Sequence, residues 1–262
     1  MLILFTDETN MNPGRDATFF IYGGLFLPIE TIPALHDGIE QIRDELGYAP
    51  ADELKFETNS RPQGVSVADW TQAKRDVVAL CRELDCQFIA YVALHAIIQG
   101  QTQHNRVLWA ADHVLGRFNR YLTEVDDIGI VAVDNLPINA QFRYLSDKFS
   151  IGLTVDDRTV QLDRIKLFSA TCSNASHISS AMDIVLGSFR YCVNNPRNPD
   201  AAREMMANVV RLMWHTREGD TFHVHNKGLV CRPLIENIRV EAYKQQYTDM
   251  IDNFNQLLAD DE

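Results

Sequence analysis

No stretch of this 262-residue chain approaches the ~20 consecutive apolar residues of a membrane-spanning helix. The opening run Met1–Phe5 has no basic residues before it and is too short for a secretory signal. Cysteine is sparse. Cys81, Cys86, Cys172, Cys192 and Cys231 form no C-x-x-C pair, which excludes the common cysteine-rich zinc sites. Their odd number fits reduced, buried thiols rather than a disulfide framework, so the expected location is the cytoplasm. Positive charge is also short, with 24 Lys and Arg against 36 Asp and Glu and a net charge of −12. That balance excludes a nucleic-acid grip spread over the whole surface, because phosphate binding is driven by clustered Lys and Arg. It leaves room for a local basic groove, and it fits an acidic site for divalent cations. There is no G-x-S-x-G elbow and no H-E-x-x-H, so Ser176 and Ser180 beside His177 carry no triad signature. Internal repeats and low-complexity tracts are absent as well.

What the chain does have is ordinary globular material, 46% hydrophobic and 23% charged, enough to bury a sizeable core. Met1–Phe5 reads as a buried strand that runs into Thr6-Asp7-Glu8, followed by a turn at residues 9–14. Phe19–Leu27 reads as a second strand, bulged or closely approached at Gly23-Gly24; with no helix after it, this pair is not a phosphate loop. The two predict an opening hairpin. Helices are expected over 31–46, 66–84 (with Asp69 as a cap), 105–122, 137–149 and 175–193, and strands over 87–94, 128–133 and 164–169. Residues 51–59 fit either a strand or an ordered loop. The sum is an α/β protein with a mixed sheet. The run Asn194–Asp200 marks a boundary, giving a domain over 1–194 and a C-terminal helical extension over 195–262 with helices at 201–214 and 233–258. Residues 197–244 carry eight Lys or Arg against six Asp or Glu, a locally basic stretch in an acidic chain.

Two apolar strands end at an acid, one at Asp7 and one at Asp134. In open α/β sheets, sites gather at the C-terminal edge. If these strands are parallel neighbours, the two carboxylates come close and need a proton or a cation between them. The bland alternative is that each Asp merely starts a turn. The 175–193 helix is more specific. Ser176, Ser180, Asp183 and Gly187 fall on one side, opposite an apolar face, and Asp183 is the sole Asp, Glu, Lys or Arg from Leu167 to Phe189. A lone acid among small residues is costly to bury unless it is paired or holds a metal.

In order along the chain come Phe5-Thr6-Asp7-Glu8-Thr9, the strand Phe20–Leu25 with its Gly-Gly, Glu53-Leu54-Lys55-Phe56, the strand ending at Asp134, and Ser180–Val185 with Asp183. This order resembles the bacterial and phage family called domain of unknown function 3800, over roughly Met1 to Val193. The chain has Thr9 and Asn10 where that family often has Ser and Gly, and Ser180-Ala181-Met182 where it usually has Gln and Leu before the helix Asp. The resemblance implies a ribonuclease H-like mixed sheet flanked by helices. It also implies a metal site of Asp7, Glu53, Asp134 and Asp183 acting as the catalytic residues of a nuclease with Mg²⁺ or Mn²⁺. Two ions about 3.5–4 Å apart would serve the attacking water and the leaving 3′ oxygen, with Asp7 bridging them. Glu8, next along a strand, points the other way by alternation and is expected to cap or to pair, for instance with Lys55. Lys55 could itself meet a scissile phosphate, and Arg203, Arg211, Arg217 and Lys227 are the candidates for a backbone clamp on nucleic acid. DNA, RNA and hybrid all stay open as substrates, as does a homodimer through the extension. Two rivals remain. One is an aspartyl-phosphate phosphatase on Asp7, which would want a second Asp where Thr9 stands. The other is a non-catalytic protein of the same fold that binds nucleic acid or a phage-defence partner. His215, His223 and His225 form a further candidate metal or catalytic cluster.

Overall fold

A computed structural model describes residues 1–9, 11–14, 17–134, 141–155, 158–171, 176–194, 199–219 and 221–259. Along the chain lie β1 (Leu2–Thr9), β2 (Phe19–Pro28), α1 (Ile32–Glu45), α2 (Val67–Glu83), β3 (Gln87–Leu94), α3 (His95–Ile98), α4 (Gln103–Glu124) and β4 (Gly129–Val133). There follow α5 (Gln141–Ser150), β5 (Leu153–Val155), β6 (Arg158–Val160), β7 (Ile165–Ala170), α6 (His177–Val193), α7 (Pro199–Leu212), β8 (Thr216–Glu218), β9 (Thr221–His223), β10 (Leu229–Cys231) and α8 (Glu241–Ala259). The protein is α/β. Its six-stranded sheet has the order β10-β3-β2-β1-β4-β7. β2 runs antiparallel to its neighbours β1 and β3, while β4 is parallel to β1, β7 to β4, and β10 to β3.

Alternation along β1 decides what faces what. Leu2 and Leu4 join the cluster beneath α4, with Val114, Phe118 and Leu122. Phe5 joins the opposite cluster, with Ala181, Met182 and Val185 of α6. Thr6 turns back to the α4 side and accepts a hydrogen bond from the Tyr22 hydroxyl at 2.8 Å. Asp7 therefore emerges on the α6 side. β4 repeats the pattern, with Val131 and Val133 toward α4 and Ala132 toward α6.

Several expectations are adjusted. β1 does not stop at Phe5. It stays paired with β2 as far as Thr9 opposite Ile21, so Asp7 sits within a strand, opposite Gly23, and starts no turn. The cap of α2 is Ser66, whose Oγ accepts the Asp69 N–H at 3.1 Å, while the Asp69 carboxylate accepts the Ser66 hydroxyl at 2.6 Å. Asp69 therefore orients the capping hydroxyl and is not itself the cap. Residues 51–59 are an ordered loop with a single 3₁₀ turn at Thr58–Ser60. The segment after residue 194 is not only helical. β10 extends the sheet beside β3, and α7 and α8 lend Met206, Val209, Tyr247 and Phe254 to the same core as α6. Asn10, the start of the expected 137–149 helix, residue 175 at the start of the next one, and most of the expected boundary lie outside the described residues, as does Cys172. Cys81, Cys86 and Cys231 are buried and free, as expected of structural thiols. Among the described residues no helix is long and apolar enough to cross a membrane.

Candidate functional site

Gly23 brings α6 onto the sheet. A Cβ there would lie 2.7 Å from Leu186 Cδ1, so the missing side chain is the space Leu186 occupies. Asp183, one turn earlier, is thereby held over the end of β1. On the other side, the parallel register Thr6 to Val133 leads directly to Asp134, whose N–H donates to the Thr6 carbonyl at 3.1 Å. Asp7, Asp134 and Asp183 thus line one cavity of about 190 Å³, together with Lys55, Thr171, Ser179, Ser180 and Met182. The three carboxylates share the cavity without clustering. Among the described residues, the one group of three possible ligands whose donor atoms all lie within 4.8 Å of one another is elsewhere, at His36, Glu40 and His177.

Acidic charge dominates the electrostatics, with Lys55 the cationic side chain on the cavity wall. Burial first, then the charges of Glu8 and Asp134, push the Asp7 carboxyl up to about 8; the Glu8 N–H, donating to Asp7 Oδ1 at 2.7 Å, pulls the other way. Burial, then Asp134, lifts Glu8 to about 7. Asp183 is raised too, by burial, against the pull of the Phe56 N–H, Lys55 and Arg190. Ser179 Oγ, on the cavity wall, is buried and has no hydrogen-bond partner among the described residues. A buried hydroxyl in that state is a donor or acceptor waiting for a water or ligand.

Glu53 is not brought to this cavity. It ion-pairs with Lys55 at 2.8 Å and lines a neighbouring cavity of about 340 Å³. Lys55 does line the acid cavity, and its amine is raised first by the hydrogen bond to Glu53. Lys55 is thus matched with Glu53 and not with Glu8. The other proposed nucleic-acid contacts stand away from the cavity. Arg203 pairs with Asp200 at 3.7 Å. Lys227 pairs with Glu124 at 2.7 Å and lies 4.5 Å over the Trp214 ring. Arg211 and Arg217 do not line the cavity either. His215, His223 and His225 form no ligand group among the described residues. Glu8 and Ser179 were not singled out as site residues. Glu8 follows the rule of strand alternation, yet burial and Asp134 still act on it strongly.

The small residues on α6 have a structural reason. Phe56 packs on Gly187, where a Cβ would fall 2.5 Å from the Phe56 Cβ, and the Phe56 N–H donates to Asp183 Oδ2 at 2.7 Å. Lys74 lies 4.5 Å over the Phe56 ring, and Trp70 Nε1 donates to the Lys55 carbonyl at 3.2 Å. These ties hold Lys55 at the cavity. Gly187→Ala is expected to expel Phe56 and release this loop, costing about 1–3 kcal/mol as an overpacking change. Urea melts would show the loss and limited proteolysis would show cleavage near residues 53–57. Unchanged stability and an intact loop would refute the packing account.

No family model matches the chain, and no curated protein matches it.

Proposed function

We propose that this chain is a hydrolase of ribonuclease H-like fold that works with divalent cations, Mg²⁺ or Mn²⁺. More narrowly, we propose a nuclease that cuts phosphodiester bonds, as a member of the domain of unknown function 3800 family whose motifs it resembles. One observation carries this reading. Asp7, Asp134 and Asp183, from two parallel strands and the helix crossing them, face one cavity where burial and mutual repulsion hold Asp7 up to about 8. Lys55 offers one positive charge to three carboxylates there, and cations with oxygen preference would relieve the remainder. The strand order β3-β2-β1-β4-β7, with its antiparallel first half and parallel second half, supports the same fold.

The donor set fits the metal: three carboxylates, and beside them a Ser179 hydroxyl, without a partner among the described residues, able to hold a water. When bound, the ions supply positive charge that activates water and stabilises a leaving oxygen. The chain's own residues do the rest. Asp7, Asp134 and Asp183 hold the cations, and Asp183 also fixes the loop through Phe56. Lys55, oriented by Glu53, presents its ammonium to an anionic phosphate oxygen in the same cavity. Glu53 acts here through Lys55.

The test is to incubate the protein with end-labelled single- and double-stranded DNA, RNA and hybrid, with Mg²⁺, with Mn²⁺ and with EDTA. Cleavage of at least one substrate in the metal arms alone is expected. Cleavage in EDTA, or action on phosphate monoesters only, would point to different chemistry. Calorimetric Mg²⁺ binding without cutting of any substrate would leave the non-catalytic member of the fold as the answer.

A further inference from the structure

We infer that His36, Glu40 and His177 form a second cation site, chemically distinct from the acid cavity, for a borderline transition ion of the Zn²⁺ class. The inference does not depend on the nuclease reading. α1 presents His36 and Glu40 four residues apart, hence on one face. His177 is the first residue of α6, which packs against α1. The three offer two imidazole nitrogens and one carboxylate oxygen, all within 4.8 Å of one another. The imidazole rings of His36 and His177 lie 4.9 Å apart, centre to centre, and His177 Nε2 already touches Glu40 Oε1. Two nitrogens and an oxygen make the three-ligand set that leaves one position of a tetrahedral ion open. Here the open side adjoins the cavity of about 340 Å³ lined by His36, Arg43, Glu53, Ser176, His177 and Ser180.

Donor chemistry separates the two sites. Imidazole suits Zn²⁺, Ni²⁺ and Cu²⁺, whereas an all-carboxylate cavity suits Mg²⁺ and Mn²⁺. The surroundings are also built to hold the ligands still. Arg43 is buried, and its Nη2 donates to the carbonyls of Ala49, Pro50 and Asp52 at 3.1, 3.2 and 2.9 Å. Its Nη1 donates to Glu40 Oε1 at 3.2 Å and lies 3.2 Å from His177 Nε2. Hydrogen bonding to a ligating carboxylate is the usual outer support of a metal site. Without an ion, the same atoms make a His177–Glu40 hydrogen bond beside Arg43, and this is the state an ion must displace. Ser180 lines both cavities, and His177 precedes Asp183 by six residues on α6, roughly 9 Å along the axis. An ion here joins α1 to the helix that carries Asp183.

Calorimetry with ZnCl₂, and visible absorption with CoCl₂, on the metal-stripped protein test this. One equivalent of Zn²⁺ should bind with a Kd of about 1 µM or tighter, and Co²⁺ should give the intense bands of a four-coordinate site. His36 is exposed, so His36→Ala should fold normally by circular dichroism and bind Zn²⁺ at least about 100-fold more weakly. Glu40→Gln, which keeps shape and hydrogen bonding, should weaken it as well. Asp7→Asn should leave Zn²⁺ binding unchanged, and excess Mg²⁺ should not compete. No binding below about 1 mM by the wild type, or unaltered affinity in both His36→Ala and Glu40→Gln, overturns the site.

Discussion

Asp7→Asn is expected to remove metal-dependent cleavage by about 10³-fold or more and, in the metal-free protein, to raise the melting temperature. Both follow from one fact. Asp7 is the acid on which burial and the charges of Glu8, Asp134 and Asp183 all act in the same direction. Asparagine keeps the shape, and its carbonyl oxygen can still accept the Glu8 N–H that Asp7 Oδ1 accepts at 2.7 Å. It cannot supply negative charge, so the cations lose their central ligand and the reaction loses the charge stabilisation they bring. Below about pH 8 the same change removes the cost of keeping a buried carboxyl protonated, and above it the like-charge repulsion on Glu8 and Asp134. A chain of this size gains about 2–4 °C for each kcal/mol regained. A residue kept for stability would behave in the opposite way, with its replacement lowering the melting temperature. Cleavage and scanning calorimetry on the same preparation read both effects. Undiminished Mg²⁺-dependent activity in the variant removes Asp7 from the metal site.

The parts of this site that could be read in the sequence are those where a regular pattern breaks. Apolar strands running into Asp7 and Asp134, and a helix with one acid among small residues, are departures from periodicity, and periodicity is what a sequence displays. The small residues themselves had a second explanation that no pattern carried. Gly187 makes room for Phe56, 131 positions earlier. Glu53 shows the same limit. Its motif placed it among the acids, but Leu54 is buried in the core and Lys55 lines the acid cavity, leaving Glu53 as the partner of Lys55. In the locally basic C-terminal stretch, Lys227 is matched by the distant Glu124, and Glu204 of α7 is matched by Arg75 of α2. Ion pairs of that range leave no local trace. β10 contributes three residues to the sheet, too few for an alternation to register. His36 and Glu40 were not singled out in the sequence, because only the fold brings His177 beside them.

With divalent cations removed, stability is expected to fall as pH rises from about 6.5 to about 8, and Mg²⁺ should reverse the fall. Asp7 titrates at about 8 in the folded chain against 3.8 for the free group, and Glu8 at about 7 against 4.5. Both are raised, so the folded state holds protons that the unfolded state has already released. Their contribution is fully present below the unfolded values and is lost as pH climbs through the folded ones. Below about 6.5 the half-buried His113, lowered by desolvation to about 3, works against this trend, because the unfolded chain takes up a proton that the folded one refuses. His225, lowered for the same first reason, acts likewise. Lys74, lowered to about 8 by burial, affects the balance only above that value. The interval between is governed by the carboxylates, with a slope of at most about 1.4 kcal/mol per pH unit from each group. A cation that binds the ionised cavity and not the unfolded chain stabilises by RT ln(1 + [L]/Kd), and the gain grows as Asp7 ionises. Urea midpoints at pH 6.5, 7.2 and 8.0, in EDTA and in Mg²⁺, should therefore diverge with pH in the wild type and stay together in Asp7→Asn. If the wild-type midpoints in EDTA hold level or rise over that interval, the crowding of charge in this cavity is overstated, and with it the physical case for cations there.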